Sequence, residues 1–168
     1  TYSDEQLKYV LKEISVVTPP WVRVDRLVRD ISKKWVVEGT VKTNMRQEVE
    51  RELLAEGRPC KCIRCREVRD TEFRDQTLPA GRQGSDLRKI EYETDGGKEI
   101  FLSIEKDDKL YALLRLRLPD EEEKMLFFEL RGAAIIREVH AYGQVVPLSE
   151  RDDNKTQHKG LGRRLIEK

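Results

Sequence analysis

The chain has 168 residues, with 33 Lys and Arg against 32 Asp and Glu for a net charge of +1, and it is 39% charged and 38% hydrophobic. That length accommodates one ordinary domain with a real core plus a small attached module, and two full domains would be crowded. The composition excludes a disordered chain, and no apolar run approaches the length needed to cross a bilayer.

The start, Thr1-Tyr2-Ser3-Asp4-Glu5, has neither the basic stretch nor the apolar middle of a secretory signal, which points to an intracellular, cytoplasmic setting. It also lacks Met, and Ile166-Glu167-Lys168 reads as the first turns of a helix, so both ends are expected to continue into a longer protein. Apolar residues at Leu7, Val10, Leu11 and Ile14 predict a helix over 4–14 with Ser3 as N-cap. Thr18-Pro19-Pro20-Trp21 breaks it. A helix-compatible rhythm resumes over 21–31, and a second helix is expected over 44–55, closed by Gly57 and Pro59. Basic residues recur through this first part, among them Arg23, Arg26, Arg46, Arg64 and Arg66. They form either a solvated helical surface or a face for a polyanion, and charge alone favours the former.

Strands are expected over 87–94, 99–105, 109–118, 125–130 and 133–142. Asp95-Gly96-Gly97 and Asp107-Asp108 are tight hairpin signals, so the strands should form an antiparallel meander. The Pro/Gly stretch 78–85 has no periodicity and reads as a mobile connection between the two parts.

Two constellations carry chemistry. In Cys60-Lys61-Cys62-Ile63-Arg64-Cys65 all three cysteines fall within six positions. Thiolates at C-x-C-x-x-C spacing can wrap one soft cation, with zinc the usual choice, and the neighbouring cations favour the thiolate form. Three ligands leave a tetrahedral ion one short, and His140, His158, a carboxylate or water are all open as the fourth. An iron–sulfur cluster and redox-active thiols are the alternatives. The second constellation is Gln157-His158-Lys159-Gly160-Leu161-Gly162-Arg163-Arg164, placed where a chain turns from strand into helix. Free N–H groups and the helix dipole there attract a pyrophosphate, and glycines let the backbone approach it. A strand meander before the loop is not the alternating order of a Rossmann fold.

Strand meander, Q-x-x-G-x-G and helix together resemble the GNAT acetyltransferases. The flanks narrow the resemblance. Residues 137–147, from Arg137-Glu138-Val139-His140 onward, together with Gln157-His158-Lys159-Gly160-Leu161-Gly162, resemble the acetyltransferase domain of the family of Elongator catalytic subunits, the tRNA carboxymethyluridine synthases. Arg29-Asp30-Ile31 with Asn44-Met45-Arg46-Gln47 resembles the end of that family's radical-SAM domain, and Cys60 through Glu67 its zinc-binding linker.

The resemblance implies an α+β fold: a GNAT-like mixed, largely antiparallel sheet with helices, preceded by a small helical segment and a zinc-binding loop. It divides the chain into a helical segment, 1–58, a zinc-binding linker, 59–70, and an acetyltransferase domain, 71–168, that is incomplete at its C-terminal end. It implies zinc on Cys60, Cys62 and Cys65. It implies acetyl-CoA held by the backbone of Glu138, Val139, His140 and Ala141 along the pantetheine arm, and by Gln157, Lys159, Gly160, Leu161, Gly162, Arg163 and Arg164 around the pyrophosphate.

The implied activity is transfer of an acetyl-derived group to C5 of the wobble uridine of tRNA, with tRNA-stimulated acetyl-CoA hydrolysis. The family's iron–sulfur cluster and S-adenosylmethionine belong to a preceding half that this chain does not contain. Implied partners are tRNA, and other Elongator subunits or self-association in the full-length protein, with no membrane. A protein lysine N-acetyltransferase and a zinc-containing tRNA-binding module that senses acetyl-CoA are the alternative readings. Glu138 and His140 have the chemistry of a general base, but no residue is singled out as catalytic.

Overall fold

The computed structural model describes residues 1–27, 33–42, 44–69, 86–120, 127–143 and 160–168. Their contacts divide the chain into two units, Thr1–Arg66 and Glu67–Lys168. The stretch 78–85 and the loop residues Gln157, His158 and Lys159 lie outside the described residues.

In the first unit α1 runs Asp4–Val17. Ser3 starts it with a reciprocal capping box: its Oγ accepts from the Gln6 N–H at 3.2 Å, while Gln6 Oε1 accepts from the Ser3 N–H at 3.0 Å. The helix runs three residues beyond the expected end, because nothing breaks it until Thr18, extended ahead of Pro19. Helix α2, Met45–Ala55, follows Asn44, and its end is tied by the Gly57 and Arg58 N–H groups to the carbonyls of Leu54 and Leu53. Leu11 of α1 packs with Met45, Val49 and Leu53 of α2, and Leu7, Val16 and Leu27 cover the margin. Each fully buried aliphatic side chain there contributes about 1.5–3 kcal/mol. Lys8 and Lys12 of α1 interleave with Glu48, Glu52 and Glu56 along the seam, so these charges pair helix with helix.

The helix expected over 21–31 is not formed by its described part, 21–27. The backbone there bonds outward: Val22 O accepts from the Ile63 N–H at 2.9 Å, and Val24 O from Arg46 Nη1 at 2.7 Å. Those partners lie about 20 and 40 residues away in sequence, where no local periodicity registers them. A one-turn helix α3, Ile63–Arg66, closes the unit.

The second unit is a meander of β1, Asp86–Thr94, β2, Gly97–Lys106, β3, Lys109–Pro119, and β4, Ile135–Ala141, in the order β1-β2-β3-β4. Every pairing is antiparallel. The fold is α+β as expected, and the described sheet is antiparallel throughout, with no parallel strand. Both hairpins fall where the turn residues placed them. Asp107 and Asp108 have φ of 50° and 64°, as a two-residue turn with both central residues left-handed requires. At Gly97 a Cβ would stand 2.3 Å from the Leu118 carbonyl oxygen, so no other residue fits.

Phe101 and Leu113 are buried on one face of the sheet and Ile104 and Leu114 on the other, and helix α4, Leu161–Ile166, lays Leu161 and Leu165 onto β2, β3 and β4. The strand expected over 125–130 is replaced, in its described part, by a 3-10 turn at Phe128–Leu130. The N–H groups of Leu130, Arg131 and Ala133 each bond three residues back, and Phe127 and Phe128 are left exposed. Among the described residues no helix is long and apolar enough to cross a membrane.

Candidate functional site

The three cysteines are free thiols, Cys62 buried and Cys60 and Cys65 partly so. Their sulfurs lie within 4.8 Å of one another, and those of Cys62 and Cys65 are 3.5 Å apart. Tetrahedral zinc with bonds of about 2.3 Å places its sulfurs about 3.8 Å apart, so the donor set fits such an ion with small shifts. Local structure explains the convergence. Helix α3 begins directly after Cys62, and the N–H groups of Cys65 and Arg66 return to the Cys62 carbonyl at 3.2 and 3.3 Å, folding the C-x-x-C half into a knuckle.

The electrostatics favour a thiolate at the centre. Hydrogen bonds from the Cys60 and Cys65 thiols hold Cys62 far below the ordinary cysteine range, against the effect of burial, with help from the backbone N–H groups of Cys65 and Val24. The same hydrogen bonds, with burial, push Cys65 far up. Cys60 is raised, chiefly by its hydrogen bond to Cys62. Three thiols this close favour ionisation within the cluster, which suits the donor set to a cation.

Two arginines brace this loop. Buried Arg66 donates from Nε to the Lys61 carbonyl at 2.7 Å and from Nη2 to the Pro20 carbonyl at 3.0 Å. Arg46, on the first turn of α2, donates to Glu50 Oε1 at 2.6 Å and to the Val24 and Asp25 carbonyls at 2.7 and 3.2 Å, and its Nη2 lies 3.7 Å from Cys65 Sγ. Burial alone would lower Arg46, but Glu50 and Cys65 outweigh it and raise its pKa. Glu50 Oε1 is itself 3.4 Å from Cys65 Sγ. Glu50 is not picked out from the sequence, and Arg46 only as one of the recurring basic residues and within Asn44-Met45-Arg46-Gln47, not as a neighbour of the cysteines. The available signal was the pair Arg46 and Glu50 at i,i+4, which reads as an ordinary helix-surface pair until the fold brings Cys65 against it.

In the second unit Gly160 caps α4 in the left-handed region, φ 68° and ψ 21°, which favours glycine strongly. Nothing lies within 4 Å of where its Cβ would be. Gly162, inside the helix, faces β4: a Cβ there would meet Val139 Cγ1 at 3.6 Å. The glycine turn and the expected pantetheine strand are therefore neighbours. Strand β4 ends the described sheet, leaving one row of its backbone groups unused by that sheet. Leu161 is buried in the core, and Arg163 is exposed and bonded to Glu167 Oε1 at 2.6 Å.

Glu138 pairs with Arg115 Nε at 2.9 Å across β3 and β4. The carboxylate is thus a strut between strands. His140 stacks on Tyr142 with ring centroids 4.4 Å apart. A register shift opposite Arg115 and Leu116 puts Arg137 in a bulge of β4, where its guanidinium pairs with the buried carboxylate of Glu99. Tyr92 donates to the same carboxylate at 2.6 Å. Burial would raise Glu99, but these two partners outweigh it and hold its pKa below the ordinary value, while burial and Glu99 push the Tyr92 phenol up to about 12.

No family model matches the chain. Among characterised proteins it is 38% identical over 168 residues to a tRNA uridine(34) acetyltransferase of Dehalococcoides mccartyi, covering 98% of this chain and 35% of that protein. It is 37% identical to the tRNA uridine(34) acetyltransferase of Methanocaldococcus jannaschii, covering 99% and 31%, and 39% identical to human Elongator complex protein 3, covering 99% and 30%. Among solved structures it superposes on the Elp3 of Methanocaldococcus infernus, a form with an N-terminal deletion, with a TM-score of 0.77 and 34% identity, covering 99% of this chain and 39% of that one. The chain thus spans about a third of the length of these relatives, and along that third it is similar in sequence and fold to tRNA uridine(34) acetyltransferases and Elongator complex protein 3.

Proposed function

We propose that the chain is the acetyl-CoA-binding, zinc-containing part of a cytoplasmic enzyme that modifies the wobble uridine of tRNA by carboxymethylation, with acetyl-CoA hydrolysis stimulated by tRNA. The observation that carries the reading is the meeting of the glycine turn with the sheet-terminal strand β4 at Gly162 and Val139. A terminal strand can extend its hydrogen bonding to an amide-bearing arm, and a left-handed glycine entering a helix exposes N–H groups to a pyrophosphate. In this reading Glu138, Val139, His140 and Ala141 lie along the arm. Gln157, Lys159, Gly160, Leu161, Gly162, Arg163 and Arg164 surround the phosphates.

Cys60, Cys62 and Cys65 would hold zinc, which would supply a structural cross-link between the loop before α3 and α3 itself. For tRNA phosphates the exposed Arg26 is a better contact than Arg66, whose guanidinium is committed to the Lys61 and Pro20 carbonyls.

Thermal unfolding with saturating acetyl-CoA tests the cofactor reading. Ligand at 100 times its Kd stabilises by about 2.7 kcal/mol, so the second unit's transition should move up by several degrees. Gly162→Ala separates binding from folding. Its Cβ makes only ordinary contact with Val139, and alanine favours a helix over glycine by about 1 kcal/mol, so the variant should fold as well or better and yet lose the acetyl-CoA shift. No shift in the native sequence, or a full shift in Gly162→Ala, counts against the phosphate loop.

A further inference from the structure

We propose that Arg46 is a positioning residue for the metal: it holds the Cys65 sulfur in place and supplies the counter-charge of the three-thiolate site. The inference rests on the zinc reading above and goes beyond it to a residue on another element. The Arg46 guanidinium is fixed on three sides before it reaches the cysteines. Glu50 Oε1 takes Nε at 2.6 Å, and the Val24 and Asp25 carbonyls take Nη1 at 2.7 and 3.2 Å. The remaining arm, Nη2, is thereby aimed at Cys65 Sγ, 3.7 Å away. This is a planar donor fork locked by its partners rather than a mobile surface cation, since the side chain is only 19% exposed.

Charge gives the arrangement its purpose. Three thiolates around a dication carry one net negative charge, and Glu50, whose Oε1 accepts from the Cys65 thiol at 3.4 Å in the metal-free chain, adds a second once that thiol gives up its proton to the metal. In a half-buried site that pair of like charges costs stability unless a cation lies against both. Arg46 touches both, and its guanidinium keeps its proton across the whole accessible pH range. The N–H to sulfur contact also fixes the direction of the Cys65 side chain, the role that partners of metal ligands generally play.

The test is zinc affinity of the chain itself, measured by competition with a chromophoric chelator, for the native sequence, Arg46→Lys and Arg46→Met. Loss of an outer partner of this kind lowers metal affinity about 10–100-fold. The expected order is native tightest, Arg46→Lys intermediate because it keeps charge without the fork, and Arg46→Met weakest. Cobalt substitution adds a readout that folding alone does not move: the thiolate-to-cobalt charge-transfer band should shift in Arg46→Met as Cys65 loses its donor. If Arg46→Met failed to fold, the lysine variant would still decide, through a measurable loss of affinity with the helical signal intact. Equal affinity and an unshifted band across all three would overturn the assignment. A native chain that takes up no zinc would instead remove the metal reading on which it rests.

Discussion

Glu99 sits in an environment unlike the one its type suggests. It is a carboxylate in mid-strand, 2% exposed, with Tyr92 and Arg137 on its oxygens. Its folded pKa is lowered, so its stabilisation is complete above the ordinary glutamate value near pH ~4.3 and fades as pH falls through the lower folded value. Glu99→Gln should therefore cost about 1–3 kcal/mol at pH 7, and the difference from the native sequence should shrink below pH ~4. Urea unfolding at pH 7 and pH 3 reads this directly. A gap of the same size at both pH values would show that Glu99 acts through packing and not through its charge. The residue also bears on the proposed cofactor strand, because Arg137 forms the bulge next to Glu138.

At the scale of elements, the contrast is between helices that are legible locally and a segment that is not. Helix α1 has its cap, its apolar stripe and its proline stop in consecutive residues, and α2 has Met45, Val49 and Leu53 at i, i+4 and i+8. Leu53 is fully buried between the two helices, so Leu53→Ala should destabilise the first unit by about 2–5 kcal/mol, checked by denaturant unfolding followed by far-ultraviolet dichroism. The segment over 21–27 has a comparable apolar rhythm and is not helical, because its carbonyls serve Ile63 and Arg46. The described part of the strand expected over 125–130 departs for a related reason: its aromatic pair suits a strand by propensity, while i,i+3 bonds wind it into a turn.

For the whole molecule, the division at Arg66 places all three cysteines in the first unit and the glycine turn in the second. Each unit has its own apolar cluster, so metal removal should act on one of them. Calorimetry of the zinc-loaded chain before and after chelation should show the first unit's transition lowered and the acetyl-CoA response of the second retained. Loss of both together would mean that the zinc knuckle supports the sheet as well.

The sequence by itself determined whatever depends on neighbours along the chain. Hairpin turns follow from Asp-Gly and Asp-Asp, helix starts and stops from capping residues and prolines, and the cysteine cluster from three thiols within six positions. The glycine turn before α4 was legible too, since glycine adopts the left-handed region more readily than other residues. The α+β meander followed from these local signals, and the likeness to these relatives was visible as resemblance. Only the tertiary structure decided which distant groups share a site: Arg46 and Glu50 against Cys65, Arg66 on the Pro20 carbonyl, Arg137 on Glu99, and Gly162 beside Val139. The physical reason is that hydrogen bonds and ion pairs are satisfied by whatever the fold brings within about 3 Å, and separation along the chain carries no trace of that choice.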